Sequence, residues 1–245
     1  MEKNTLTEIK KGQTGTGLLI EHEGYISSDC GDNKKLFEDI NSKIGTDEPI
    51  CPEHFIVSAV FQKFGIENAN GRIYPEHVLK REVEKYMEKI AGNKFGEKRA
   101  IGECNHPDDT VINLSRVAMN IIELHWVGHT LVGKLEVLTS PGFRKYGIIS
   151  CEGDQIANLL LQGIKIGVSS RGMGTVTNKM GVLYVGDDYE IVCWDIVSDP
   201  STENSFITPE DNIPQRYIEN KEDTKPFLSE NANKIDKALE ILRIF

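Results

Sequence analysis

Between residues 55 and 199 the apolar positions fall into short runs that suit strands, interrupted twice by apolar residues at helical spacing. The run "FIVSAVF" (55–61) suits a strand buried on both faces, and the turn-rich "GIENANGRIYP" (65–75) closes it. Pro75 then opens "PEHVLKREVEKYMEKI", where Val78, Leu79, Val83, Met87 and Ile90 recur at helical spacing. Proline fits a first helical position because the N–H it lacks has no partner there. Two strand-like runs, "RVAMNIIELHW" (116–126) and "TLVGKLEVL" (130–138), flank a short loop with Gly128 and predict a β-hairpin. The stretch "GDQIANLLLQG" (153–163) predicts a second helix, with Asp154 near its N-cap and Gly163 just past its last turn. It delivers the chain to "KIGVSSRGMG" (165–174), after which "GVLYVG" (181–186) and "YEIVCWDIVSD" (189–199) read as further strands. This order predicts an α+β fold, a mostly antiparallel sheet or barrel core flanked by helices.

The ends of the chain read differently. Residues 1–53 mix Gly, Asp, Glu and Lys without sustained periodicity and are expected to be a leader to a domain at 54–208. A polar linker, 209–230, precedes residues 231–245, where Ile235, Ala238, Leu239, Leu242 and Phe245 predict a C-terminal amphipathic helix. With 245 residues, 39% of them hydrophobic, the chain can build one sizeable core. The net charge of −10 argues against a nucleic-acid surface, which would cluster Lys and Arg, and favours a protein partner. No run of 18 apolar residues and no apolar leader-peptide segment is present, so neither a membrane span nor export is expected. Five scattered cysteines, an odd number, predict free thiols in a reducing compartment.

Two short stretches carry candidate chemistry. In "GECNHPDD" (102–109), His106 sits between Asn105 and Pro107, and a residue before proline is pushed to extended backbone, so its imidazole is presented at a strand end. In "KIGVSSRGMG", alternation puts Ile166 and Val168 on one face and Gly167 and Ser169 on the other, where the bare Gly167 leaves room beside the Ser169 hydroxyl. Backbone N–H groups around Arg171, Gly172 and Gly174 are candidate oxyanion donors. A strand that merely ends in a Ser/Gly turn explains the same letters. A serine nucleophile needs a base, and the base needs an orienting group. Glu136 in "GKLEVL" and Asp195 in "VCWDIV" are the two acids on strands that qualify. Cys51, His54, Cys104 and His106 match no zinc-site spacing, so no metal is expected.

With these residues in hand, the chain resembles the prohead core proteases of tailed bacteriophages, of the T-even type. The resemblance rests on six segments in order: "NANGRIYP" (68–75), "GECNHP" (102–107), "INLSRVAMNIIELHW" (112–126), "GKLEVLTSPG" (133–142), "IKIGVSSRGMG" (164–174) and "DIVSDPS" (195–201). It implies a herpesvirus-protease-like fold and a serine endopeptidase without cofactor, acting inside the assembling prohead in the host cytoplasm. Scaffold or core proteins, the major capsid protein and the enzyme itself are the implied substrates, and self-association into a homo-oligomer stays open. The family's histidine carries onto His106. Its nucleophile carries onto Ser169 through Gly167-Val168-Ser169, with Ser170 as the alternative. Assemblin-like enzymes place a second histidine after the serine, but no histidine follows position 129 here. That leaves a carboxylate, Glu136 first and Asp195 as its rival. The family's preference for cutting after Glu in an apolar-x-Glu context implies self-trimming after Glu8 or Glu230. Competing functions are an inactive scaffold-like capsid-assembly protein and another Ser/His hydrolase.

Overall fold

The computed structural model describes residues 7–21, 31–43, 49–90, 99–107 and 109–198. The linker and C-terminal helix expected at 209–245, and Glu230 with them, lie outside the described residues.

The described chain runs β1 (Gly15–Ile20), α1 (Gly31–Lys43), β2 (Phe55–Lys63), β3 (Arg72–Ile73), α2 (Glu76–Ile90), β4 (Ile101–Glu103), β5 (Val117–Val127), β6 (Thr130–Val137), α3 (Pro141–Tyr146), α4 (Glu152–Leu161), β7 (Gly167–Lys179), β8 (Val182–Val185) and β9 (Glu190–Val197). The expected hairpin is β5–β6, and the two expected helices are α2 and α4. Asp154 lies one turn inside α4 rather than at its N-cap. Buried there, it accepts the Ser140 N–H (2.6 Å) and the Ser150 N–H (2.8 Å).

Two sheets form, and the α+β expectation holds while the barrel alternative does not: among the described residues both sheets are open. One has the order β2-β6-β5-β4. The other has β1-β7-β8-β3, with β9 on the second side of β7. Apolar side chains from both fill a shared core, including Phe55, Val57, Phe61, Leu131, Leu135, Val168, Val176 and Ile196. Trp194 packs edge-on against Phe61 of β2 (ring centroids 5.7 Å apart) and Tyr86 of α2 (4.7 Å), which fixes β9 against the rest of the molecule.

Part of the expected leader is sheet. β1 pairs antiparallel with β7 from Gly15↔Val176 to Ile20↔Arg171, and Glu21, just beyond it, donates its N–H to the Ser170 carbonyl (2.9 Å). The Glu21 carboxylate is fully buried and accepts from Asn68 (2.6 Å), Asn70 (2.8 Å), Arg72 (2.6 Å) and Tyr74 (2.7 Å), so the "NANGRIYP" segment is a cage that holds the end of β1. Residues 7–9 run alongside β1 in parallel, with Leu18 N–H on the Thr7 carbonyl (3.1 Å) and Ile9 N–H on the Leu18 carbonyl (2.9 Å).

The stretch "KIGVSSRGMG" is not a turn: from Gly167 onward it lies inside the thirteen-residue β7. Its glycines serve packing. A Cβ on Gly172 would come within 2.5 Å of the Tyr189 ring, and one on Gly174 within 3.0 Å of the Tyr189 Cα. The two sheets meet at a seam where β4 runs up to β9. Gly102 makes that approach feasible, because a Cβ there would overlap the Trp194 carbonyl oxygen. Beyond it Cys104 bridges Ile196, and the Asn105 N–H donates to the Ile196 carbonyl (2.8 Å). Gly102→Ala is therefore expected to open the seam, lowering unfolding free energy by about 1–3 kcal/mol, read by urea denaturation.

Candidate active site

The site assembles from backbone register. Ser169 of β7 lies directly opposite Asp195 of β9, and Arg171 opposite Cys193, so all four side chains stand on one face of this sheet. Ser170 stands on the other face, opposite Trp194, and its buried hydroxyl has no hydrogen-bond partner among the described residues. Both faces of β7 are covered here, so Ser169 is buried rather than turned to solvent. The second sheet supplies the third group. Asn105, with a left-handed φ of 63°, turns the chain after the seam and brings His106 over the Ser169–Asp195 pair.

His106 lies between the two. Because a carboxylate only accepts, the Nδ1–H of His106 donates to Asp195 Oδ2 (2.7 Å). That leaves Nε2 to accept from the Ser169 hydroxyl (2.6 Å). The acid that reaches the imidazole is thus Asp195. Glu136 does not meet His106: it sits on β6 between Ile56 and Asn120, and its Oε1 accepts from Nδ1 of His54 (2.6 Å). Arg171 and Gly172 do not border an open oxyanion loop either, since both lie within β7, paired with β1 on one side and β9 on the other. Among the described residues no group of three or more His, Cys, Asp or Glu is placed to hold a metal.

Three residues around the site are not among those the sequence pattern singles out. The Glu103 N–H donates to Asp195 Oδ1 (2.9 Å), and its carboxylate pairs with Arg171 (2.9 Å). The Cys193 thiol contacts Asp195 Oδ1 (3.3 Å), and Asp109 offers its carbonyl to Arg171 (2.6 Å). Glu103 was findable as a charged residue inside the apolar approach to "CNHP"; a carbonyl contact leaves no letter. Burial works to raise the Asp195 carboxyl. The His106 hydrogen bond, the Arg171 charge and the Glu103 N–H outweigh it and hold Asp195 below the usual carboxylate value. Burial, and then the Asp195 charge, push the Cys193 thiol far up, so it stays protonated.

A nucleophile, a base and an orienting carboxylate in one hydrogen-bonded line is the arrangement of a serine hydrolase. Comparison with known proteins narrows that class. The model of the prohead core protein serine protease family matches residues 18–216. The chain belongs to this family. The prohead core protein protease of Enterobacteria phage T4 is 28% identical over 174 residues, 70% of this chain and 76% of that protein. The solved structure of the bacteriophage T4 capsid assembly protease superposes with a TM-score of 0.57 at 23% identity. It covers 74% of this chain and 98% of that one, and its likeness is one of fold. As a member of the prohead core protein serine protease family the chain is a peptidase of phage head maturation, and the resemblance read from its six segments is borne out.

The depressed Asp195 value has a sign in stability. The folded-state value lies below the unfolded one of about 3.9, so the ionised carboxylate stabilises the fold above that pH, and the contribution is lost as pH falls through the folded value. Unfolding free energy followed from pH 7 down to pH 2.5 is expected to fall more steeply for the parent protein than for Asp195→Asn.

Proposed function

We propose that the chain cleaves scaffold or core proteins and the major capsid protein inside the assembling head, with Ser169 as nucleophile, His106 as base and Asp195 as the carboxylate that orients the imidazole. The observation that carries this reading is the line Asp195–His106–Ser169, with contacts of 2.7 and 2.6 Å. His106 Nε2 takes the Ser169 proton as Oγ bonds to the carbonyl carbon of the scissile peptide. The imidazolium, stabilised by Asp195, gives that proton to the leaving amine as the C–N bond breaks, and water then hydrolyses the acyl-enzyme by the same proton route. Burial of Ser169 and Asp195 strengthens these interactions, because little water is present to screen them. Self-trimming after Glu8 fits the same activity, and requires residues 7–9 to leave their bonds to Leu18.

Cleavage of the phage's own purified scaffold protein tests the assignment. Ser169→Ala is expected to lower the rate at least about 10⁴-fold, and Asp195→Asn about 10⁴-fold by losing the right tautomer. Ser170→Ala and Glu136→Gln are expected to cleave within about 3-fold of the parent, since Ser170 lies on the other face of β7 and Glu136 bonds His54 instead of His106. Full activity of Ser169→Ala, or equal losses in Glu136→Gln and Asp195→Asn, contradicts the reading.

A further inference from the structure

The Arg171 side chain is wholly buried, and it reaches the carboxylate to which His106 is bonded. Nε lies 2.9 Å from Asp195 Oδ2, the oxygen that accepts the His106 Nδ1–H, in an ion pair without a hydrogen bond. Nη2 donates to Glu103 Oε1 (2.9 Å) and reaches Asp195 Oδ1 at 3.4 Å and Cys193 Sγ at 3.1 Å, while Nη1 donates to the Asp109 carbonyl (2.6 Å). One planar group therefore touches β4, β9 and the segment just after His106. It joins both sheets at the point where the base from one meets the nucleophile and acid of the other. Glu103 anchors it from behind: its Oε1 also accepts the Asn113 N–H (3.0 Å), and Arg116 Nε stands 3.7 Å from Oε2.

We infer that Arg171 is a positioning residue for catalysis, which acts through Asp195 by fixing the carboxylate so that Oδ2 faces His106. The guanidinium's charge is secure. Burial opposes it, but the Asp195 charge and the hydrogen bond to Glu103 raise its value above that of a free arginine. What matters is the fork. Nη2 bonds both Glu103 and Asp195, Nη1 bonds the Asp109 carbonyl and Nε stands in ion-pair contact with Asp195, all in one plane, and a lysine, with a single ammonium nitrogen, does not span them. Without the fork Asp195 keeps a nearby cation and its Glu103 N–H, but is held less firmly about its last bond, and the imidazole shifts with it.

This inference rests on the proposed Ser169–His106–Asp195 assignment, and its test separates the two. Single-turnover cleavage of scaffold protein is measured for Arg171→Lys, Asp195→Asn and the double variant, with thermal unfolding as a check on folding. Arg171→Lys is expected to fold, to lower kcat about 100-fold as a small misplacement does, and to leave KM within about 3-fold. In the Asp195→Asn background the same change is expected to lower kcat less than 5-fold, because the group it orients no longer works. A purely structural role predicts losses that multiply, and that result overturns the inference while leaving the triad intact. Retained activity in Ser169→Ala overturns the triad itself. If Arg171→Lys does not fold, the low-field proton resonance of the His106–Asp195 hydrogen bond in Glu103→Gln supplies the test. Its shift or loss supports the clamp, and an unchanged resonance contradicts it.

Discussion

Where β4 runs against β9, the molecule brings two sheets to backbone contact, and the placement of the site depends on that contact. Gly102 has no side chain to hold the strands apart, Cys104 bridges Ile196, and the N–H groups of Glu103 and Asn105 are bound to the Asp195 side chain and the Ile196 carbonyl. The left-handed turn at Asn105 converts this alignment into the position of His106. Ser169 and Asp195 need no such device, being cross-strand neighbours within one sheet. His106 is the imported member, and the seam determines whether it arrives.

The same place gathers buried charge. Glu103 and Asp195 share one guanidinium with no solvent around it, in a setting where removing one partner of a buried pair costs about 3–5 kcal/mol. The proposed catalysis and stability are therefore coupled here: the contacts that keep Asp195 ionised and aimed are also contacts that hold the two sheets together. Further along β7, Glu21 and its cage of Asn68, Asn70, Arg72 and Tyr74 secure β1 on the opposite edge from β9, so the strand bearing Ser169 is gripped on both sides.

Much of this was legible in the sequence because it is local. The period of "PEHVLKREVEKYMEKI" gives α2, the hairpin follows from two apolar runs around Gly128, and alternation within "IGVSS" separates Ser169 from Ser170 by face. What failed was non-local. Choosing Asp195 over Glu136 depends on the pairing of β7 with β9 and on the approach of β4, neither of which is written in the residues around either acid. Gly172 and Gly174 suggested a turn because glycine marks turns, whereas here they clear space for the Tyr189 ring. The expected leader holds β1 because Gly17–Ile20 are buried in a row, so this short strand shows no alternation of its own.

The central claim is that one serine is activated by one histidine across the seam. Labelling the full chain with a serine-directed fluorophosphonate and mapping the adduct by peptide mass spectrometry tests it most directly. The account predicts a single adduct on Ser169 that disappears in His106→Ala. An adduct on Ser170, or undiminished labelling of Ser169 without the His106 imidazole, would contradict it.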